Sequence, residues 1–285
     1  MKLIGPFTQI LTMRNLPMKG TIKDEQLELI ENGGIIVENG FIRQVGNYKQ
    51  LREQNPAIEL EEINTEQVVL PGFVDSHTHI CYGGNRAKDF AMRLNGKTYL
   101  EIAESGGGIW STVTQTRSKS PDELKDITLH HIDKLIAQGI TTAEVKSGYA
   151  LSVEGEKNML QAIGMAKQET PIEVVTTFLG AHMKPKDFEG SNRDYLEHLV
   201  QEIFPVLRKE YQCNRVDIFV EQSAFSIEEG DYYMNEAKKQ GFELTIHADQ
   251  FTAGASQLAV KYQALSADHL EFSGKDEICL LYTSD

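Results

Sequence analysis

Short apolar runs separated by turn residues open the chain. Positions 35–37 (Ile-Ile-Val) and 41–45 flank Asn39-Gly40, the dipeptide that supplies the positive φ angles of a two-residue hairpin. Residues 1–66 therefore read as a small β-rich unit. From Val68 the pattern changes to apolar runs alternating with longer amphipathic stretches, the signature of βα units around a parallel sheet. The candidate strands are 68–75, 140–146, 173–181, 215–221, 242–247 and 264–268. Helix starts are legible between them: Thr98 with Glu101, Ser120 with Glu123 (followed by Pro121) and Ser226 with Glu229 match the capping box, and Ser191 with Asp194 is a weaker version. Gly139 and Gly241 fall where a helix ends in a left-handed residue before the next strand.

Length and composition narrow the classes. The chain has 285 residues, 40% of them hydrophobic, enough for one large domain with a small companion. Its 28 basic and 42 acidic residues give a net charge of −14 with no basic cluster, which argues against a nucleic-acid groove or a polybasic membrane patch. An anionic small substrate stays possible if a local cation receives it. Cys81, Cys213 and Cys279 lie far apart with no C-x-x-C, no apolar run reaches about 18 residues, and the amino terminus lacks a signal sequence, so a cytoplasmic protein is expected.

The eight histidines carry the chemistry. His130, His131 and His198 sit within predicted helices as surface or packing residues. His77, His79, His182, His247 and His269 all lie at or just past the end of a candidate strand, and in a parallel α/β barrel those ends converge on one face. The sharpest local signal is Asp75-Ser76-His77-Thr78-His79. Alternation puts His77 and His79 on one face, where two imidazoles can hold one metal, and His247 is the third candidate ligand. An isolated H-x-H pair reads as two satisfied polar residues; three further strand-end histidines turn the balance toward zinc or iron. His182 is a candidate ligand or substrate donor. In Asp268-His269 a carboxylate stands beside an imidazole, an arrangement suited to proton transfer, so both are candidate catalytic residues. Cys81 reads as a small strand-end residue, Lys146 as structural or substrate-facing, and Gly106-Gly107-Gly108 as a helix stop and active-site loop without the ending of a phosphate loop.

The stretches LPGFVDSHTHICYGGNRAKDF, YLEIAESGGGIWSTVTQTR, AEVKSGYAL, TFLGAH, IHADQ and LSADHL, in this order, closely resemble the imidazolonepropionases, metal-dependent amidohydrolases of histidine degradation. The resemblance runs from the amino-terminal hairpin to about residue 271. It implies a (β/α)8 TIM-like barrel over residues 67–285 with a small amino-terminal β-sandwich unit, and hydrolysis of the cyclic amide of 4-imidazolone-5-propanoate to N-formimidoyl-L-glutamate with one zinc or iron ion. By matching motif, His77, His79 and His247 would hold the metal. Arg86, Tyr149, His182 and Gln250 would contact the substrate, Arg86 receiving its propanoate. His269 would stand beside the metal, and the resemblance also implies a homodimer. Two other readings remain. One is a different amidohydrolase, a deaminase or cyclic amidase; the absence of lysine in VDIFVEQ favours one metal over two. The other is an inactive metal-binding fragment.

About six of eight strands can be placed, a seventh starting at ICLLY near the end. The 218 residues from Val68 to Asp285 fall short of the roughly 250 of such a barrel. The expectation is a carboxy-terminally truncated barrel that lacks two strands and the family's metal-binding aspartate, with CLLYTSD foreign to the family. Such a chain is expected to be poorly soluble or inactive alone.

Overall fold

The computed structural model describes residues 1–17, 20–98, 101–102 and 105–283. The chain divides into two compact units, Met1–Gly72 and Phe73–Asp285, against an expected boundary at residue 66.

The first unit is one five-stranded mixed sheet with a helix. Strands β1 (Lys2–Leu11), β2 (Leu29–Glu38) and β3 (Phe41–Asn47) pair antiparallel, while β4 (Glu59–Glu62) and β5 (Val68–Val69) pair parallel with β1. Asn39 and Gly40 take φ of +51° and +80° in the β2–β3 turn, as the hairpin requires. Helix α1 (Tyr48–Gln54), capped by Asn47, buries Tyr48 and Leu51 with Leu3 and Ile36.

In the second unit, strands β6 (Phe73–Asp75), β7 (Ile140–Lys146), β8 (Glu173–Ala181), β9 (Arg215–Phe219), β10 (Glu243–Ala248) and β11 (Ser266–His269) form one parallel sheet in chain order. Helices α2 (Ala87–Leu94), α3 (Gly108–Arg117), α4 (Pro121–Ala137), α5 (Val153–Glu169), α6 (Asn192–Glu202), α7 (Phe204–Tyr211), α8 (Ile227–Lys239) and α9 (Ser256–Tyr262) lie between strands, and α10 (Lys275–Thr283) follows β11. The capping boxes at Ser120, Ser191 and Ser226 all form, and Gly139 and Gly241 take φ of +83° and +76° at helix ends. Thr98 and Glu101 exchange the same reciprocal bonds; Tyr99, Leu100, Ala103 and Glu104 lie outside the described residues.

Two expectations are corrected. The predicted strand 68–75 is two strands in two sheets, because Pro71-Gly72 ends the run: proline has no N–H to give to a ladder. ICLLY is helical and starts no seventh strand. Asp276 and Glu277 occupy the first turn of α10, where carboxylates favour a helix amino terminus, and Glu277 Oε2 accepts from Gly274 N at 2.9 Å.

The six-stranded sheet curls strongly. Laid flat, its outer strands would stand about 24 Å apart, five spacings of about 4.8 Å. Instead His77, just past β6, meets Asp268 on β11 at 2.8 Å. Inside the curl, Lys146 Nζ from β7 is fully buried and contacts Glu144 (2.8 Å), Asp217 of β9 (2.6 Å) and Asp268 of β11 (3.1 Å). Burial alone would discharge this lysine, but the three carboxylates, Asp217 foremost, hold its pKa above the usual lysine value. Removing the ammonium takes its charge from buried Asp217 and Asp268 and leaves Glu144 only Arg215 Nη1, 3.8 Å away. Lys146→Met is expected to cost about 3–5 kcal/mol of unfolding free energy in chelator-treated protein, and Asp217→Asn in the same chain to recover part of it. Urea unfolding of the three proteins checks this; a loss below about 1 kcal/mol for Lys146→Met would show that the cluster is not stabilised by its ammonium.

Candidate metal centre

The segment after β6 continues beside β7, with Thr78 O accepting from Lys146 N at 3.0 Å and Thr78 Oγ1 donating to Glu144 O at 2.5 Å. Thr78 therefore faces β7, and its neighbours His77 and His79 face the other way. His247, on β10 and 2% exposed, comes to meet them. His79 Nε2 lies 3.2 Å from His77 Nε2 and 3.1 Å from His247 Nε2.

The opposite ring nitrogens settle the tautomers. His77 Nδ1 lies 2.8 Å from Asp268 Oδ2, and His247 Nδ1 lies 3.1 Å from Asp217 Oδ1. Burial would raise the pKa of Asp217, but His247 and Lys146 hold it well below the usual carboxylate range. Burial likewise works on Asp268, which the bond from His77 and the charge of Lys146 keep low. Both carboxylates are thus acceptors, so each of these rings, in its neutral form, donates from Nδ1 and presents a lone pair at Nε2. His79 is neutral, its pKa pushed well down by burial and then by His182 and His247. One Nε2–H on His79 cannot satisfy two neighbours, so at least one close pair sets lone pair against lone pair. A cation relieves this. Imidazole–zinc bonds of about 2.0–2.1 Å give tetrahedral nitrogen separations of about 3.3–3.4 Å, close to those observed. The donor set fits a divalent metal, with Asp217 and Asp268 orienting two of the rings.

A cavity of about 440 Å³ opens above these histidines, lined also by Arg86, Tyr149, His182, Gln250 and His269. The His182 ring lies 5.3 Å from those of His79 and Tyr149, and the His269 ring 5.2 Å from those of His77 and His247. His182 donates from Nδ1 to Gly148 O at 3.0 Å, and burial, followed by the charge of His247, lowers its pKa to about 4. It is neutral at pH 7, with Nε2 as an acceptor. Burial, then His247, also lowers the pKa of His269. Arg86 donates from Nε to Asp89, which also accepts from Gly108 N at 2.9 Å. The triple glycine does stop a helical turn, with Gly106 at φ +83° and Gly107 N donating to Ile102 O at 3.0 Å, and it also starts the next helix, since Gly107 caps and Gly108 begins α3. A Cβ on Gly107 would lie 2.4 Å from Asp89 Oδ1, so glycine is needed for that approach.

Asp268 and His269 do not act on each other as their adjacency suggests: Asp268 turns to His77 and Lys146, while His269 Nδ1 faces Glu271 at 3.4 Å. Cys81 is fully buried and donates from Sγ toward Met159 O, and burial lifts its thiol pKa to about 12. Sequence reasoning overlooked Asp217 and underrated Lys146, though a charged residue inside the apolar runs VDIFV and AEVK was a usable signal.

Residues 68–282 match the amidohydrolase family model. The chain is 41% identical over 273 residues to the imidazolonepropionase of Bdellovibrio bacteriovorus, covering 94% of this chain and 64% of that protein. It is 42% identical over 220 residues to the imidazolonepropionase of Vibrio parahaemolyticus, covering 77% of this chain and 53% of that protein. The chain thus spans roughly half to two thirds of the length of the curated relatives it matches. Among solved structures, a guanine deaminase of C. acetobutylicum superposes with a TM-score of 0.59 at 16% identity, covering 98% of this chain and 65% of that one. An atrazine chlorohydrolase mutant of Arthrobacter aurescens, complexed with zinc and atraton, superposes with 0.54 at 15%, covering 90% and 55%. The strand-end histidines, the curled parallel sheet and the match over most of the chain agree, and this chain belongs to the amidohydrolase family.

Proposed function

We propose that this site hydrolyses the cyclic amide of 4-imidazolone-5-propanoate to N-formimidoyl-L-glutamate in the cytoplasm, with one zinc or iron ion held by His77, His79 and His247. The observation that carries the reading is the convergence of His77 and His247 Nε2 on His79 Nε2, at 3.2 and 3.1 Å, beneath a cavity that also collects Arg86, Tyr149, His182, Gln250 and His269. The relatives named imidazolonepropionase, similar over most of this chain, supply the substrate.

When bound, such an ion supplies Lewis acidity and lowers the pKa of its water toward neutrality. The protein groups divide the remaining work. Arg86, anchored through Asp89 to the start of α3, receives the propanoate by charge-assisted hydrogen bonds. Tyr149 and Gln250 hold the ring. His182, committed at Nδ1 to Gly148 O, offers only an acceptor and so takes the N–H of the substrate ring. Stabilisation of the developing oxyanion then falls to His269, which is also the group placed to carry a proton toward the departing nitrogen. Asp268 is fully engaged by His77 and Lys146, and its role is to position.

Binding and turnover test the reading separately. The zinc-loaded chain is expected to bind N-formimidoyl-L-glutamate in calorimetry, and Arg86→Met to weaken that binding about 10- to 100-fold, the worth of a charged hydrogen bond; binding that ignores the metal or Arg86 would refute the assignment. Chelation is expected to abolish binding, with one equivalent of zinc or iron(II) restoring it. His79→Ala should hold that ion on the order of a hundredfold or more weaker by competition titration, since three of the site's contacts become two; unchanged affinity would place the metal elsewhere.

A further inference from the structure

Glu221 follows β9, is 5% exposed and has no part in the chemistry above. Its carboxylate accepts from Gln222 N at 2.8 Å, and its remaining bonds run to one loop: Phe251 N at 2.8 Å, Thr252 N at 3.1 Å and the Thr252 hydroxyl. These donors outweigh burial and keep the carboxyl ionised, below the usual range. The loop, residues 249–255, leaves β10 without strand or helix, with Asp249 at φ +50° and Gly254 at φ +116°. No ladder holds it. On its near side Asp249 accepts from Ser256 N at 3.1 Å and from the Ser273 hydroxyl at 2.8 Å. Gln250 lies between the two carboxylate anchors, and Gln250 and Phe251 line the cavity opposite Ser223 and Ala224, which follow Glu221 itself.

We propose that Glu221 is a positioning residue that fixes Gln250 and Phe251 against the cavity and so sets affinity for the substrate without touching it. The anchor strength comes from a charged acceptor, since bonds to an ionised carboxylate are about twice as strong as neutral ones. Its effect on affinity rests on the reading that Gln250 contacts the substrate; the anchoring of the loop does not.

Hydrogen exchange and product binding on the zinc-loaded chain test the two halves. Glu221→Gln is expected to speed amide exchange at residues 251 and 252 about tenfold or more, as a local opening. It should also weaken N-formimidoyl-L-glutamate binding about 10- to 100-fold, the penalty of a misplacement near 1 Å, with zinc content unchanged. In a Gln250→Ala background the same substitution should add less than about twofold, because contacts in one network are not additive. Thr252→Val, which deletes one of the loop bonds and keeps the carboxylate, should shift both readouts in the same direction by less, and decides the matter if Glu221→Gln does not fold. Unchanged exchange in the folded variants, or additive losses with Gln250→Ala, would overturn the proposal. A wild-type chain that never binds the product sinks the functional reading and the claim on affinity, while exchange still decides whether Glu221 holds the loop.

Discussion

An ammonium group taken out of water costs several kcal/mol unless anions surround it closely. Lys146 meets that condition with three carboxylates from β7, β9 and β11, and the requirement works in both directions, since Glu144, Asp217 and Asp268 are equally costly without the lysine. The cluster ties three strands of the curled sheet at one level. It also leaves Asp217 and Asp268 ionised with one face each turned to a histidine, so the same charges that hold the sheet set the tautomers of His247 and His77. Once Nδ1 carries the proton, Nε2 must present a lone pair, and the metal-binding geometry follows.

The same logic separates residues that composition would treat alike. Five histidines surround one cavity, and their roles differ by what the far nitrogen meets. A carboxylate makes His77 and His247 strong, oriented donors to a cation. A backbone carbonyl makes His182 a fixed acceptor. His269 Nδ1 meets only the exposed Glu271 carboxylate at 3.4 Å, the loosest of these contacts.

Strand alternation and strand-end placement were readable because they depend on neighbours in sequence: His77 with His79, the capping boxes, Asn39-Gly40 and Gly139 all stand where local rules put them. The misreadings have different physical sources. A short apolar run satisfies a strand or a buried helix equally well, so ICLLY needed the acidic turn before it to decide, and 68–75 needed Pro71. The pairing of Asp268 with His77, 191 residues away, was invisible because adjacency in sequence suggested His269 instead; on a strand, successive side chains point to opposite faces, and that rule should have separated them.

Charge around this centre is compensated locally although the chain as a whole is acidic. Behind the histidines, Glu144, Asp217 and Asp268 face the Lys146 ammonium, and Glu144 also faces Arg215 Nη1 at 3.8 Å. Arg86 and Lys186 are cations in the cavity wall, the latter held 5.6 Å above the Trp110 ring. The net charge of −14 is a sum over the whole chain, and salt screens exposed charges lying more than a Debye length of about 8 Å from the site. Local compensation, not overall charge, decides what this cavity accepts.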